Sequence, residues 1–327
     1  MLYLLYLAPI ISLIVTLYAT RILIRYLKRI GLVVKDQNKE EKPLVPLSGG
    51  LAVMSGILAG LMAYIFILTF VYNERTQIAQ ILAVATTLLL ITFIGFMDDI
   101  IINKTKDSSV GLRQWQKPLL TITTAIPLMV INAGTSQILI PFLGRIELGL
   151  IYPLLLIPLG VVGSSNMVNL LAGINGLETG MGIIYIGSLG LFAYVNQRPI
   201  AAAIAAIGFF ALLGFYYYNK YPAKILPGDS LTYLLGALLA CIAIIGNLEK
   251  AAIISSIPFF LEFILKARSR LTAQSYGYYE HGKIRSLHNK IYSLVHLCTI
   301  KPRFTEKQIT LIFIGIQLIF SSLILIV

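Results

Sequence analysis

The strongest constraint on this 327-residue chain is a series of long apolar runs, separated by short polar connections. A helix needs about 20 apolar residues to cross the hydrocarbon core of a bilayer. Ten runs qualify as candidates: Leu2–Thr20, Gly49–Val71, Ile78–Met97, Pro118–Ile131, Leu150–Val168, Gly180–Val195, Ile200–Tyr218, Leu231–Ile245, Ala251–Leu265 and Ile309–Val327. The fourth, sixth, eighth and ninth are short, so either they extend into their flanks or the count is off by one. Hydrophobic residues make up 57% of the chain and charged residues 12%, about half the charged fraction of a soluble domain. The expected fold is therefore an all-α integral membrane protein of about ten transmembrane helices. It forms a single polytopic domain over residues 1–327, with no polar stretch long enough for a second.

The first run does not read as a cleaved leader. It lacks a basic residue ahead of it and is followed by Arg21, Arg25, Lys28 and Arg29, the order expected of a first spanning helix. Counting Lys and Arg by side places 22 of the 26 in the connections after odd-numbered spans. Arg75, Arg145, Arg198 and Lys250 alone fall on the other side. Positive charge stays in the cytoplasm, so both termini are expected outside, and an even number of spans is favoured. Outside, Gln137 to Ile140 and Arg145 to Leu148 flank Pro141 in a pattern that suits a short hairpin.

Acidic residues beside a span are costly and need a reason. Asp98 and Asp99 are adjacent at the end of the third span, and Asp229 opens the eighth. All three fall on the cytoplasmic side. Neighbouring carboxylates repel, which a divalent cation or a cationic partner relieves; the plain alternative is a solvated helix end. The connection after the fifth span, residues 166–178, carries Asn166, Asn169, Asn175 and Glu178 without one Lys or Arg. Amide and carboxylate oxygens suit a hard cation such as Mg2+, while helix-helix hydrogen bonding is the structural alternative. Gly173 and Gly176 allow backbone to approach a ligand. Lys117 stands at the start of the fourth span, suited to phosphate or to snorkelling. The ninth connection carries Arg268, Arg270, Lys283 and Arg285 among tyrosines, for a pyrophosphate or for anionic lipid. His281, His288 and His296 match no zinc spacing and read best as solvated. Cys241 and Cys298 suggest neither a disulfide nor a thiolate metal site. Nucleic-acid binding is not expected of basic residues confined to membrane borders.

Together these segments resemble the polyprenyl-phosphate N-acetylhexosamine-1-phosphate transferases (the glycosyltransferase 4 family), most of all the archaeal and eukaryotic dolichyl-phosphate UDP-GlcNAc phosphotransferase branch. The resemblance rests on Asp36-Gln-Asn-Lys39 with Pro46-Leu-Ser-Gly, on Gly95-Phe-Met-Asp-Asp, and on Gln116-Lys117-Pro. It also rests on Asn166 to Glu178, with Ala172-Gly173 where bacterial relatives have Asp-Gly, and on Tyr218 to Asp229. One departure is that Arg268-Ser-Arg270 lacks the His of the family's last loop.

The resemblance implies transfer of GlcNAc-1-phosphate, or a related HexNAc-1-phosphate, from a UDP-sugar to dolichyl or polyprenyl phosphate, with release of UMP. That is the first step of lipid-linked glycan assembly for protein N-glycosylation. It implies an active site on the cytoplasmic face, with Asp98, Asp99 and Lys117 in catalytic roles. Lys39, Asn166, Asn175, Arg268 and Arg270 would contact substrate. Asn169 and Asp229 would hold Mg2+, with Mn2+ as a substitute ion. For Asp98 and Asp99, positioning is preferred to general-base work, because a phosphate monoester with a second pKa near 6 is already largely a dianion at pH 7. The expected location is the cell membrane, or the endoplasmic reticulum membrane in a eukaryote, with a homodimer among the open assemblies. Two alternatives stand beside this: a sister enzyme using another UDP-sugar, such as a cell-wall precursor, and a membrane transporter.

Overall fold

The computed structural model describes residues 5–105, 111–133, 137–140 and 144–326. Among these, eight helices are long and apolar enough to cross a membrane. The first, α1 (Leu7–Ile30), runs well past the predicted end at Thr20. Charge limits an apolar run but not helical hydrogen bonding: Arg21, Arg25, Lys28 and Arg29 are all exposed on the continuing helix, where long basic side chains reach water. Gly31 then ends it in the left-handed conformation (φ 75°), its N–H bonding the Leu27 and Lys28 carbonyls. A two-stranded ribbon follows, β1 (Val33–Lys35) against β2 (Leu44–Pro46), with Val34 opposite Val45.

Helix α2 (Gly50–Phe70) leads to α3 (Ile78–Thr105), which extends beyond the predicted Met97. Its 28 residues span about 42 Å, so Asp98 and Asp99 lie inside a helix and not at its end. The predicted fourth span is broken. It consists of α4 (Gln116–Thr121), a 3-10 turn over Ile122–Ala125, and α5 (Ile126–Val130). The predicted hairpin forms as β3 (Gln137–Ile140) with β4 (Gly144–Glu147); the connecting residues 141–143 lie outside the described residues. A wide helical turn over Tyr152–Leu156, containing Pro153, feeds α6 (Ile157–Leu170).

Three further spans are α7 (Leu177–Val195), α8 (Pro199–Asn219) and α9 (Gly228–Gly246). Helix α9 is the most enclosed of the eight and packs against α2, α3, α6, α7 and α8. The predicted ninth span divides into α10 (Glu249–Ser255) and α11 (Ile257–Ala267). Pro258 sits just after the break, where a missing N–H is tolerated. The last connection forms a hairpin, β5 (Gly277–Glu280) with β6 (Lys283–Ser286), and a short helix α12 (His296–Thr299). Thr305 and Gln308 then form a reciprocal capping box that starts α13 (Glu306–Ser322). The β1–β2 and β5–β6 ribbons were not expected from the sequence. The Leu226 N–H donates to the Pro46 carbonyl of β2 at 2.8 Å just ahead of α9, and the Ile284 N–H of β6 to the Phe304 carbonyl at 3.2 Å just ahead of α13; Val34 and Lys35 of β1 line the cavity described next.

Candidate active site

The site begins where α3 crosses the start of α9. Their approach is close enough that a Cβ on Gly95 would stand 2.4 Å from the Asp229 carbonyl oxygen. Asp99 therefore reaches the first turn of α9. The Asp229 N–H donates to its Oδ1 at 2.7 Å and the Ser230 N–H to its Oδ2 at 3.3 Å. N–H groups in a helix's first turn lack intrahelical partners, and that end carries the positive pole of the dipole. Asp99 thus caps α9 from a neighbouring helix. Gly228 makes the fit: its φ is 70°, and a Cβ there would lie 2.4 Å from Asp99 Oδ2.

Asp98 faces the other way along the same helix. It accepts from the Leu112 N–H at 2.6 Å and pairs with Lys117 Nζ at 2.8 Å, with the Tyr233 hydroxyl at 3.4 Å. Lys117 also pairs with Asp229 Oδ2 at 2.9 Å. The Asn169 amide nitrogen donates to that same oxygen at 3.2 Å, and its Oδ1 accepts from Thr232 at 2.9 Å. Asp98 and Asp99 are fully buried. One ammonium therefore meets two carboxylates, Asp98 and Asp229, with the Asp99 carboxylate beside them on the first turn of α9, an excess of negative charge that burial makes costly.

Does this donor set suit Mg2+? Among the described residues no three His, Cys, Asp or Glu side chains form a metal-ligating group. An all-protein cage is not what Mg2+ requires, since it binds through one or two carboxylates and takes the rest of its shell from water and substrate phosphates. The Asp229 carboxylate beside the Asn169 amide, with negative charge in excess, fits that demand.

A cavity of about 280 Å3 opens from this cluster. Asp99, Lys117, Asn169, Asn175 and Asp229 line it, together with Glu178, Thr232 and the stretch from Leu271 to Tyr276. Gly173 (φ 115°) donates its N–H to Glu178 at 2.7 Å, turning the chain so that residues 172–175 form one wall. Lys39 braces this wall from the first connection without lining the cavity: its Nζ donates to Asn175 Oδ1 at 3.1 Å, and it pairs with Asp36 at 3.3 Å. Of the residues singled out from sequence, Asp98, Asp99, Lys117, Asn169 and Asp229 come together, and Lys39 meets Asn175 beside them.

Three do not join. Asn166 turns back to bond Thr121 at 3.2 Å and the Val162 carbonyl at 2.8 Å, tying α6 to α4. Arg268 and Arg270 are exposed and do not line the cavity; Arg268 reaches the Ile291 carbonyl at 3.4 Å. The buried cation that this connection contributes is Lys266, which lines the cavity. It stands 3.9 Å from the Glu262 carboxylate and donates to the Ala273 carbonyl at 2.5 Å. His281 is exposed, as expected, but His296 is not. His296 is fully buried, pairing with the Gln274 carbonyl at 2.9 Å, because the last connection folds over the site instead of lying in solvent.

Sequence reasoning missed Thr232, Tyr233, Lys266 and Glu306. Thr232 and Tyr233 were legible, since they stand three and four residues after Asp229 and share its helix face. Glu306 carried a weaker signal, an acid inside a capping box ahead of an apolar run.

Residues 81–247 match the glycosyl transferase family 4. A Saccharolobus solfataricus protein, provisionally named UDP-N-acetylglucosamine–dolichyl-phosphate N-acetylglucosaminephosphotransferase, is 38% identical over 313 residues, covering 95% of this chain and 92% of its own. A Sulfolobus acidocaldarius protein of the same provisional name is 32% identical, covering 97% and 94%. A phospho-N-acetylmuramoyl-pentapeptide-transferase of Staphylococcus epidermidis is 33% identical, covering 77% and 80%.

Proposed function

This chain belongs to glycosyl transferase family 4, and from that premise we infer that it transfers GlcNAc-1-phosphate from UDP-GlcNAc to dolichyl or polyprenyl phosphate, releasing UMP. The two archaeal relatives carry that activity in their names and match nearly the whole chain. The observation that carries the reading is the linkage of Asp98, Lys117, Asp229 and Asn169 by contacts of 2.8, 2.9 and 3.2 Å. These side chains come from four separate segments and line or adjoin one cavity.

In the reaction, a lipid phosphate oxygen attacks the β-phosphorus of the sugar nucleotide. The bond to the bridging oxygen breaks, and UMP leaves with it. Phosphoryl transfer of this kind depends on positioning and charge neutralisation more than on covalent help. Lys117, held between Asp98 and Asp229, is the group for the phosphate oxygens. Asp99 sets the start of α9 and thereby the direction of the Asp229 carboxylate. Asp98 fixes the Lys117 ammonium. Asn175, with Lys39 bonded to it, is suited to the nucleoside end of the cavity. Asn169 and Asp229 would hold Mg2+, which supplies charge stabilisation at the pyrophosphate.

The reading extends to the whole chain as one catalytic domain. Ten spans with both termini outside are supported by the distribution of basic residues and by treating the broken helices at 116–130 and 249–267 as interrupted helices that still cross. That topology puts the site on the cytoplasmic face of the cell membrane, or of the endoplasmic reticulum in a eukaryote. Homodimerisation is retained from the resemblance alone.

The test uses purified protein with polyprenyl phosphate and Mg2+. UMP release from UDP-GlcNAc is expected, with complete loss in EDTA and recovery on adding Mg2+. Turnover of UDP-N-acetylmuramoyl-pentapeptide in place of UDP-GlcNAc would move the chain to the cell-wall branch. Exchange of UDP-sugar across proteoliposomes lacking lipid phosphate would make it a carrier.

A further inference from the structure

The first turn of α13 reaches deep into the wall formed by Asn175 and Lys39. Glu306 is 3% exposed. Its Oε1 accepts from the Asn175 N–H at 2.8 Å, and its Oε2 forms an ion pair with Lys39. One turn further on, the Thr310 hydroxyl donates to the Asn175 carbonyl at 2.9 Å. Both main-chain polar groups of Asn175 are thus held by α13. Its side chain is held as well: Oδ1 accepts from Lys39 Nζ at 3.1 Å and from the Ala223 N–H at 2.9 Å, and Nδ2 donates to Asp36 at 3.2 Å. A carboxylate left without Lys39 would be a buried, uncompensated charge, so the cation and the carboxylate constrain each other.

We propose that Glu306 is a positioning residue for the sugar nucleotide: it fixes Lys39 and the Asn175 backbone in the orientation that receives the donor substrate, and takes no part in the reacting phosphates. This rests on the transferase reading above. The geometry supports a selective effect. Glu306 contacts the Asn175–Lys39 wall, whereas the cluster of Asp98, Lys117, Asn169 and Asp229 is held together by its own contacts. Removing the Glu306 charge therefore alters donor binding and leaves the phosphate-handling groups in place.

The experiment compares wild type, Glu306→Gln and Glu306→Asp in detergent, with Lys39→Met and the double variant Lys39→Met/Glu306→Gln. For each, binding of UMP is measured by calorimetry, kinetics are measured for both substrates, and melting temperature is recorded. Glu306→Gln keeps an acceptor for the Asn175 N–H but loses the charge-assisted bond to Lys39. It is expected to weaken UMP binding and raise KM for UDP-GlcNAc about tenfold. kcat and the KM for lipid phosphate should stay within about twofold, since an interaction felt only in donor binding raises one KM. Glu306→Asp should recover part of the loss. The double variant should be little worse than Lys39→Met alone, because the two residues act as a pair. Unchanged UMP binding in Glu306→Gln overturns the proposal, as does a fall of kcat and melting temperature together with a rise in both KM values. If wild type itself binds no uridine nucleotide, the transferase reading falls and this inference falls with it.

Discussion

Asp98 and Asp99 are neighbours in sequence, yet their surroundings give them different work. Asp99 spends both oxygens on the main-chain N–H groups of Asp229 and Ser230, which leaves it as a cap that aims α9. Asp98 spends its oxygens on Lys117, Leu112 and Tyr233, which makes it the anchor of the cation. Positioning explains both without a proton transfer. Asp98→Asn is therefore expected to lower kcat about 10- to 100-fold, the worth of a charge-assisted bond, by the same factor from pH 6.5 to pH 9. Turnover should remain measurable above pH 8. A pH profile that loses one limb in the variant, or complete inactivity with donor binding intact, would instead make Asp98 the general base.

Helices that break are as informative as helices that run through. Segments 116–130 and 249–267 each divide into shorter pieces, and each carries a lysine at the cavity end, Lys117 and Lys266. Breaking a helix in a bilayer frees backbone groups that other helices must satisfy. At the α10–α11 break this is visible: the Gln317 amide on α13 donates to the Ser255 carbonyl at 2.9 Å and to Ser321 at 2.9 Å. Gln317→Leu is predicted to cost about 0.6–2 kcal/mol, the range for such bonds in membranes, seen as a lower melting temperature in detergent. KM for UDP-GlcNAc should not change, because this contact lies about three turns along α13 from Glu306. A raised KM would mean that the break and the donor site are coupled.

At the level of the entire chain, the site and most of the basic residues should share one side of the bilayer. The prediction concerns two exposed positions, Glu40 in the first connection and Arg75 in the second. Glu40→Cys should react with an impermeant thiol reagent only in inside-out vesicles, and Arg75→Cys only in right-side-out vesicles, against a background corrected for Cys241 and Cys298. Labelling of both from the same side would overturn the ten-span topology and the cytoplasmic site together.

Much of this was legible in the order of residues, because the decisions involved are local. Whether a run of side chains prefers lipid is settled by that run, and α2, α7 and α8 appear close to where their apolar residues begin and end. The residues that meet in the site could also be read, because Asp98, Asp99, Lys117, Asn169 and Asp229 are polar groups that sequence sets at the borders of apolar runs, where each is costly without a partner. What only the folded chain decided was partnership. Glu306 meets Asn175 across 131 residues of sequence, and Asp99 meets Asp229 across 130. Arg268 and Arg270 turn outward, while Lys266 turns in. No periodicity encodes such pairings: they follow from how closely α3, α9 and α13 approach, and that distance is fixed by the packing of all the helices at once.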